Sequence, residues 1–161
     1  MFCTWGSIFG VDFSAEVDNQ FAKLAGVLQS GLNKLIHEGE PVHRGPAFII
    51  NGLIARKYPI IVYHDIGLLE LFFKQLETAD AELKLQIREG LLNLIVAYKY
   101  DVFPQENDKN GRINIIFAIM KCYIYSEEPM VRFAAVRSAA TIFPPRHVPS
   151  KILLLRATVD R

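Results

Sequence analysis

The sequence has few of the residues on which several classes of protein depend. Its 161 residues include two cysteines, Cys3 and Cys122, which are far apart in the chain. Two such cysteines cannot build a disulfide scaffold, and they lack the paired spacing of a structural zinc site. This cysteine usage favours a reducing, intracellular compartment, and it predicts neither a metal nor a cofactor.

Long apolar runs and blocks of charge are also missing. The apolar stretches 91–98 and 113–120 are interrupted by Asn93 and Asn114, well short of the roughly 18 apolar residues of a membrane helix. Residues 1–13 lack the basic start and the long apolar run of a secretory signal. The 18 basic and 17 acidic residues are spread evenly, for a net charge of +1. The sequence therefore predicts no transmembrane segment and no nucleic-acid partner.

The overall composition is that of a globular domain. Hydrophobic residues make up 51% of the chain and charged residues 22%, which suits neither a disordered nor a collagen-like protein. A chain of this length buries well over half of the surface that it would expose when unfolded. We expect one domain with a packed core.

An internal repeat organises this domain. An offset of 44 places the stretch that starts at Gly67 over the stretch that starts at Gly111, without a gap. Apolar residues recur three and four positions apart in both halves of each stretch, which indicates a pair of amphipathic helices. In the first halves these residues are Leu69, Phe72, Phe73 and Leu76, over Ile113, Ile116, Phe117 and Met120. In the second halves they are Ile87, Leu91, Leu94, Ile95 and Tyr98, and Val131, Ala134, Ala135, Ser138 and Ile142.

A looser copy of the repeat precedes these two. Val27 and Leu28 align with Leu71 and Phe72, Leu32 aligns with Leu76, and Ala47 aligns with Leu91. This copy differs at Gly45-Pro46, which directly follows Arg44 and aligns with Glu89-Gly90 of the next unit. Because proline is tolerated only in the opening turn of a helix, the second helix of this unit is predicted to begin near Gly45.

The repeat predicts an all-α fold, an α-solenoid of HEAT-like helical hairpins. Two-helix units of about 40 to 47 residues are typical of HEAT and armadillo solenoids, and the Val-Arg-x-x-Ala-Ala start of one second helix favours HEAT. One solenoid segment then covers residues 1–161, with units at about 14–58, 66–103 and 111–144 and a partial unit at 147–161. Acidic turns at 37–41, 78–82 and 126–129 separate the helices of each unit, and prolines end the second helices.

Three arginines, Arg44, Arg88 and Arg132, occupy the same place in each unit. Guanidinium groups could bind a phosphate or a carboxylate ligand. A residue repeated in every unit more simply serves the contact that all units share, and acidic turn residues precede each arginine. We therefore predict a ladder of turn carboxylates and helix arginines between stacked units. Arg137 lies off the apolar face and is predicted to be exposed.

No catalytic constellation is evident, so the site prediction is no catalytic, cofactor or metal residue, and the protein is predicted not to be an enzyme. Cys122 is expected in core or turn packing, and Ser7 lacks the Gly-x-Ser-x-Gly context of a nucleophile. Glu38 and Glu40 lie in a polar turn that offers no apolar pocket to raise a pKa. The histidines form no metal-binding pair and are expected on the surface or in turns: His37, His43, His64 and His147.

Both ends of the chain are apolar. Phe2, Trp5, Ile8 and Phe9 near the start are expected to pack back on the first unit or on another surface. Residues 147–155 read as the first helix of a fourth unit. Because solenoids normally end in polar capping repeats, we expect a fragment or short form of a longer solenoid, able to self-associate through its uncapped ends.

The stretch from Thr141 to Lys151, Thr-Ile-Phe-Pro-Pro-Arg-His-Val-Pro-Ser-Lys, resembles a linker in the proteasome-associated HEAT-repeat adaptor and scaffold family. The likeness covers about the last 30 residues in detail. It implies a very long α-solenoid that binds the 26S proteasome at its core and regulatory particles, acts in assembly or quality control, and carries no catalytic motif. It also implies a location in cytoplasm and nucleus, with endosomal association.

These features leave three functions to compare. The favoured one is a non-enzymatic proteasome adaptor whose partners are proteins, with no small-molecule substrate. The alternative is a HEAT-repeat adaptor for another assembly, such as nuclear transport or vesicle coats, because periodicity alone does not separate the two. An enzyme is the third, and it would require a pocket with converging polar groups.

Overall fold

A computed structural model of the chain describes residues 13–102 and 109–143. Within these ranges the chain is mainly helical and contains no strand. The six α-helices are α1 (Phe13–Glu38), α2 (Pro41–Lys57), α3 (Ile66–Thr78), α4 (Ala81–Leu94), α5 (Lys109–Ile124) and α6 (Pro129–Ile142). Two short 3-10 helices, Pro59–Ile61 and Ile95–Tyr98, follow α2 and α4. The prediction of an all-α, solenoid-like fold is confirmed.

Consecutive helices pack in pairs, α1 with α2, α3 with α4 and α5 with α6, and we call these pairs units one, two and three. Local residues explain where the helices start. Asp65 and Asp80 are N-caps whose carboxylates accept the main-chain N–H of Leu68 at 3.2 Å and Leu83 at 2.9 Å. Pro41 and Pro129 occupy the first turns of α2 and α6, where their missing N–H costs no hydrogen bond.

The core lies where the repeated apolar rows predicted it. Each row turns one side of its helix toward the other helix of its unit and toward the adjacent unit, so the units share one continuous cluster. Phe72 of unit two meets Phe48 of unit one edge to face, with ring centroids 4.8 Å apart. Fully or nearly fully buried members of the predicted rows are Leu69, Phe72, Phe73, Leu76, Ile87, Leu91, Leu94, Ile95, Tyr98, Ile116, Met120, Val131, Ala135, Ser138 and Ile142.

The predicted start of the second helix in unit one is wrong. Helix α2 begins at Pro41 rather than near Gly45, and Pro46 lies inside it. Pro46 is exposed and lies only one turn beyond the helix start. It has no N–H to donate to the carbonyl of Val42, but Val42 is exposed, so water can reach that carbonyl. Gly45 is buried against Gln86 of unit two, which holds this turn of the helix against its neighbour.

The alignment of Val27 and Leu28 with core positions is also wrong. These residues are 70% and 53% exposed, whereas Ala25 and Ile36 on another side of α1 are buried. Phe72, the counterpart of Leu28, packs on Phe48 of unit one, whereas Leu28 lies on the exposed side of α1. Exposed apolar residues form a stripe along this helix: Phe21, Leu24, Leu28 and Leu35.

The two junctions between units differ in how closely the second helices approach. Helices α2 and α4 run close together, and a Cβ atom added to Gly52 would collide with the backbone of Gly90. A Cβ atom added to Gly90 would collide with the carbonyl of Phe48. The repeat places Val96 and Ala134 at the corresponding positions of the next junction. Helices α4 and α6 accordingly show almost no close backbone approach.

Several predictions fall on residues 1–12, 103–108 or 144–161, which lie outside the described ranges. They concern Cys3, Ser7, His147, the apolar start of the chain and the partial unit 147–161. The three helix pairs lie close to the predicted units, but the division of the chain into one segment with these boundaries stays a prediction.

Candidate interaction surface

Arg44 joins three helices near the turn of unit one. Its Nε donates to the carbonyl oxygen of Ile36 at 3.0 Å, at the end of α1. One of its terminal nitrogens donates to Oε1 of Gln75 at 2.5 Å, near the end of α3. The side chain is half-buried, so these bonds are partly shielded from water. Arg44 therefore closes its own turn and ties unit one to unit two.

Arg132 closes the turn of unit three in a related way. Its Nη1 donates to the carbonyl oxygens of Ser126 at 2.7 Å and Glu127 at 2.8 Å. These two carbonyls belong to the turn between α5 and α6, outside both helices. Hydrogen bonds from a charged donor are stronger than those between neutral groups. Arg132 thus shapes the turn through its Nη1.

The predicted ladder between turn carboxylates and the repeated arginines is wrong in its chemistry. Arg44 and Arg132 bind main-chain carbonyls and an amide, and neither forms an ion pair within the described residues. Arg88 is exposed, and it has no hydrogen bond or ion pair in the described part of the chain. The repeat position was correctly identified as structural in two units, but carbonyl oxygens at the open ends of helices and turns are the better acceptors there.

Other polar groups connect the acidic turns of units two and three. The hydroxyl of Ser126 donates to Oε1 of Glu77 at 2.6 Å, and Ser126 is buried. Nζ of Lys84 lies 3.2 Å from Oε2 of Glu128 in a partly exposed ion pair. The same oxygen of Ser126 accepts the main-chain N–H of Glu128 at 3.3 Å, and Glu128 occupies the N-cap position of α6. A contact between turns exists, but lysine and serine make it.

A buried aromatic and cationic cluster lies on the opposite end of these helices. The guanidinium carbon of Arg112 lies 3.7 Å from the centroid of the Tyr63 ring and 5.7 Å from that of Tyr98. The Tyr98 hydroxyl donates to the carbonyl oxygen of Asp65 at 2.6 Å. Burial, followed by the charge of Asp65, raises the pKa of Tyr98 far above its usual value, while Arg112 opposes this shift. The phenol therefore remains a neutral hydrogen-bond donor.

A small, partly enclosed groove lies between α4 and α6. Its walls are mostly apolar, with Leu92 from α4 and Phe133 from α6 both partly exposed, at 36% and 42%. Arg88 and Arg137 also line it, one from each helix. Arg137 is exposed, as predicted, and its guanidinium has no bonding partner among the described residues. Two free cations thus border an apolar cleft.

The remaining candidate residues do not form a reactive site. Cys122 is exposed, so its predicted place in core or turn packing is wrong. Glu38 and Glu40 are exposed in their turn, and His37, His43 and His64 are exposed, as predicted. Within residues 13–102 and 109–143, no three His, Cys, Asp or Glu side chains are close enough to hold a metal ion. No helix in these ranges is long and apolar enough to cross a membrane.

Sequence patterns missed two of these features. Arg112 directly follows Gly111, where the repeat alignment begins, but only the folded chain brings it to Tyr63, 49 residues earlier. The groove could not be predicted, because it depends on how far apart the units stack. Its signal in the sequence is the replacement of Gly90 by Ala134 at one repeat position.

Stacked helical hairpins, with buried polar contacts between the units and a small groove on one face, define a solenoid-like helical fold. The chain matches the family described as "Proteasome component ECM29, N-terminal" over residues 11–157. It therefore belongs to the ECM29 N-terminal family, and the predicted resemblance to a proteasome-associated family is confirmed.

A human relative gives the same result. The chain is 31% identical over 139 residues to "Proteasome adapter and scaffold protein ECM29" from Homo sapiens. The aligned region covers 85% of this chain and 7% of that protein, so the chain spans a small part of its relative. No solved structure matches the chain.

Proposed function

We propose that the chain is a non-enzymatic segment of a HEAT-repeat scaffold that binds the proteasome and acts in its assembly or quality control. The observation that carries this proposal is the family match over residues 11–157, nearly the whole chain. The fold supports it, because a stack of helical hairpins offers an extended surface for protein partners. The relative is named as an adapter and scaffold, and the proposal extends that role to this chain.

The direct test is affinity capture from cell extract in ATP-containing buffer, with the tagged 161-residue chain as bait. Mass spectrometry should find subunits of the proteasome core or regulatory particle enriched over a helical-repeat chain of similar length from another family. A matched control is Phe72→Asp, which places a charge in the core between units one and two and should unfold the bait. Equal recovery of proteasome subunits with all three baits would refute the proposal.

The same experiment separates the alternative function. A scaffold for nuclear transport or vesicle coats would recover karyopherins or coat subunits in place of proteasome subunits. The family match favours the proteasome, because that family is described as a proteasome component. We also propose residence in cytoplasm and nucleus, which imaging of the tagged chain would test, with recruitment to endosomes as a third location to score.

We further propose that the isolated chain self-associates, with the exposed stripe on α1 as its contact. Phe21, Leu24 and Leu28 are each more than half exposed, and they succeed one another along one side of the helix. Sedimentation velocity over a range of concentrations should show a dimer or larger species that disappears in the Leu24→Glu, Leu28→Glu variant. A monomer at every concentration would contradict this proposal.

A further inference from the structure

The groove between α4 and α6 exists because the second junction lacks a glycine contact. Gly52 and Gly90 let the backbones of α2 and α4 meet, and no equivalent space remains between them. Ala134 occupies the place of Gly90 one unit later, and the backbones of α4 and α6 stay apart. The groove is therefore a property of this junction, built by side-chain volume.

The apolar side chains of the groove are only partly covered by the rest of the described chain. Leu92 and Phe133 both line it and keep more than a third of their surface accessible. Leu91 and Ala134 line it as well and are buried. An accessible apolar strip beside buried residues suits surface contact with an aliphatic or aromatic side chain of another molecule.

The charge around the groove has one sign. Arg88 and Arg137 line it with guanidinium groups that make no hydrogen bond or ion pair within the described residues. Glu128, a carboxylate from the neighbouring turn, is already paired with Lys84 at 3.2 Å. Two unpaired cations beside an apolar cleft are complementary to carboxylates placed on either side of an apolar residue.

The other nearby carboxylate, Glu89, faces away from the groove. It lies one helical turn before Asn93, whose side chain accepts a hydrogen bond from Arg56 of unit one at 3.0 Å. Glu89 therefore shares the side of α4 that faces unit one, whereas Arg88 is on the side that faces unit three. No described carboxylate from α4 neutralises the two arginines.

We infer that this groove binds an acidic peptide segment of a partner protein, one with an aliphatic or aromatic side chain flanked by aspartate or glutamate. The apolar residue packs on the accessible surfaces of Leu92 and Phe133, and its flanking carboxylates meet Arg88 and Arg137. Guanidinium groups bind carboxylates through two parallel hydrogen bonds, so the two arginines favour a segment with a carboxylate on each side of its apolar residue. This inference deepens the proposed scaffold function, because it names the chemistry of the docking segment.

The first experiment measures peptide binding to the 161-residue chain by fluorescence anisotropy. The probe is a labelled peptide of about ten residues that alternates glutamate with leucine, long enough to follow helices of this length in extended form. Two control probes replace its glutamates by glutamine or its leucines by serine. Binding should require both the acidic and the apolar residues, and it should weaken as salt is added, because the arginines are exposed.

Charge-reversal variants locate the site. The Arg88→Glu, Arg137→Glu double variant should weaken binding of the acidic probe at least about tenfold, as expected from the loss of two ion-paired contacts. The matched control is Lys34→Glu with Lys74→Glu, which makes the same charge change at exposed positions on α1 and α3. The control should bind as the parent chain does, and circular dichroism should show both variants folded.

Failure of the groove and failure of the scaffold function give different results. If the parent chain captures proteasomes and the groove variant captures them equally well, the inference is overturned while the proposed function stands. If the probe binds in the groove but no proteasome is captured, the groove chemistry stands and the function fails. If the probe does not bind, or the control variant loses binding as much as the groove variant, the inference is overturned.

Discussion

Arg112 and Tyr63 form a cation–π contact that joins two units, with the guanidinium carbon 3.7 Å from the ring centroid. Tyr63 lies in the link between α2 and α3, and Arg112 lies in the first turn of α5. Both side chains are buried, and Nε of Arg112 also donates to the Tyr63 carbonyl oxygen at 3.4 Å. A single residue thus fixes the start of unit three to the start of unit two.

Replacing this arginine by lysine should destabilise the fold although the charge is kept. Lysine has no planar group to lie over the ring, and its compact charge is more costly to bury. We expect Arg112→Lys to lower the free energy of unfolding by about 1 to 2 kcal/mol, measured by urea titration. Arg137→Lys, at an exposed position whose guanidinium has no partner among the described residues, should change it by less than about 0.5 kcal/mol. Equal effects would show that the ring contact contributes nothing.

The close contact between Gly52 and Gly90 can be tested by comparing the same substitution, glycine to alanine, at a crowded and at an open position. Gly90→Ala should cost about 1 to 3 kcal/mol or more, because the new methyl group collides with the Phe48 carbonyl and α2 must move. Gly31→Ala, in α1, meets nothing within 4 Å and should stabilise the chain by roughly 0.5 to 1 kcal/mol. Thermal melting of both variants tests this, and a stabilised Gly90→Ala variant would contradict the close approach of α2 and α4.

Tyr98 should make stability depend on alkaline pH. Burial raises its pKa in the folded chain above the unfolded value of about 10. Its contribution is therefore complete below about pH 10 and is lost as the pH rises further, when the unfolded chain releases the phenol proton and the folded chain does not. Tyr123, whose pKa is also raised by burial and then by Glu70 and Glu77, adds to the same trend.

The Tyr98→Phe variant isolates this effect. It should lose about 1 kcal/mol at neutral pH, through the hydrogen bond to the Asp65 carbonyl. Above about pH 10 its stability should decline less steeply than that of the parent chain, by up to about 1.4 kcal/mol per pH unit. Guanidinium titrations at several pH values measure both quantities. Parallel pH profiles would show that Tyr98 ionises freely in the folded chain.

The repeated arginines should differ in their effect on stability. Arg132→Ala removes two hydrogen bonds to turn carbonyls and should cost about 1 to 2 kcal/mol. Arg88→Ala removes an exposed side chain without a partner and should change stability by less than about 0.5 kcal/mol. Chemical denaturation of the two variants tests the difference. A large loss in Arg88→Ala would point to a structural contact at this position as well.

The sequence was sufficient for the helices and most of the core. The rows through Leu69 and Phe73 and through Val131 and Ala135 are periodic, and burial along one side of a helix follows directly from such spacing. The same spacing did not predict which side of α1 is buried. Its residues Val27 and Leu28 are apolar like their counterparts, yet they are exposed, whereas Ala25 and Ile36 of the same helix are buried.

The candidate surface was harder to predict, for two physical reasons. Arginine donates to many kinds of acceptor, so the spacing of Arg44 and Arg132 from acidic turns did not reveal that carbonyl oxygens would be chosen. The groove depends on the distance between helices that are 44 residues apart in sequence, and local periodicity carries no information on that distance. Exposure of Arg137 was predictable, whereas its position opposite Arg88 was not.

The glycine contact between α2 and α4 also has a geometric consequence for any longer stack of such units. Each junction turns the axis of the stack by an amount that depends on how near its second helices come, so a single methyl group at the Gly90 position changes the local curvature. The curvature of a long solenoid then depends in part on the side-chain volume at this position of each repeat. A partner with a rigid shape would in turn be selected by that curvature.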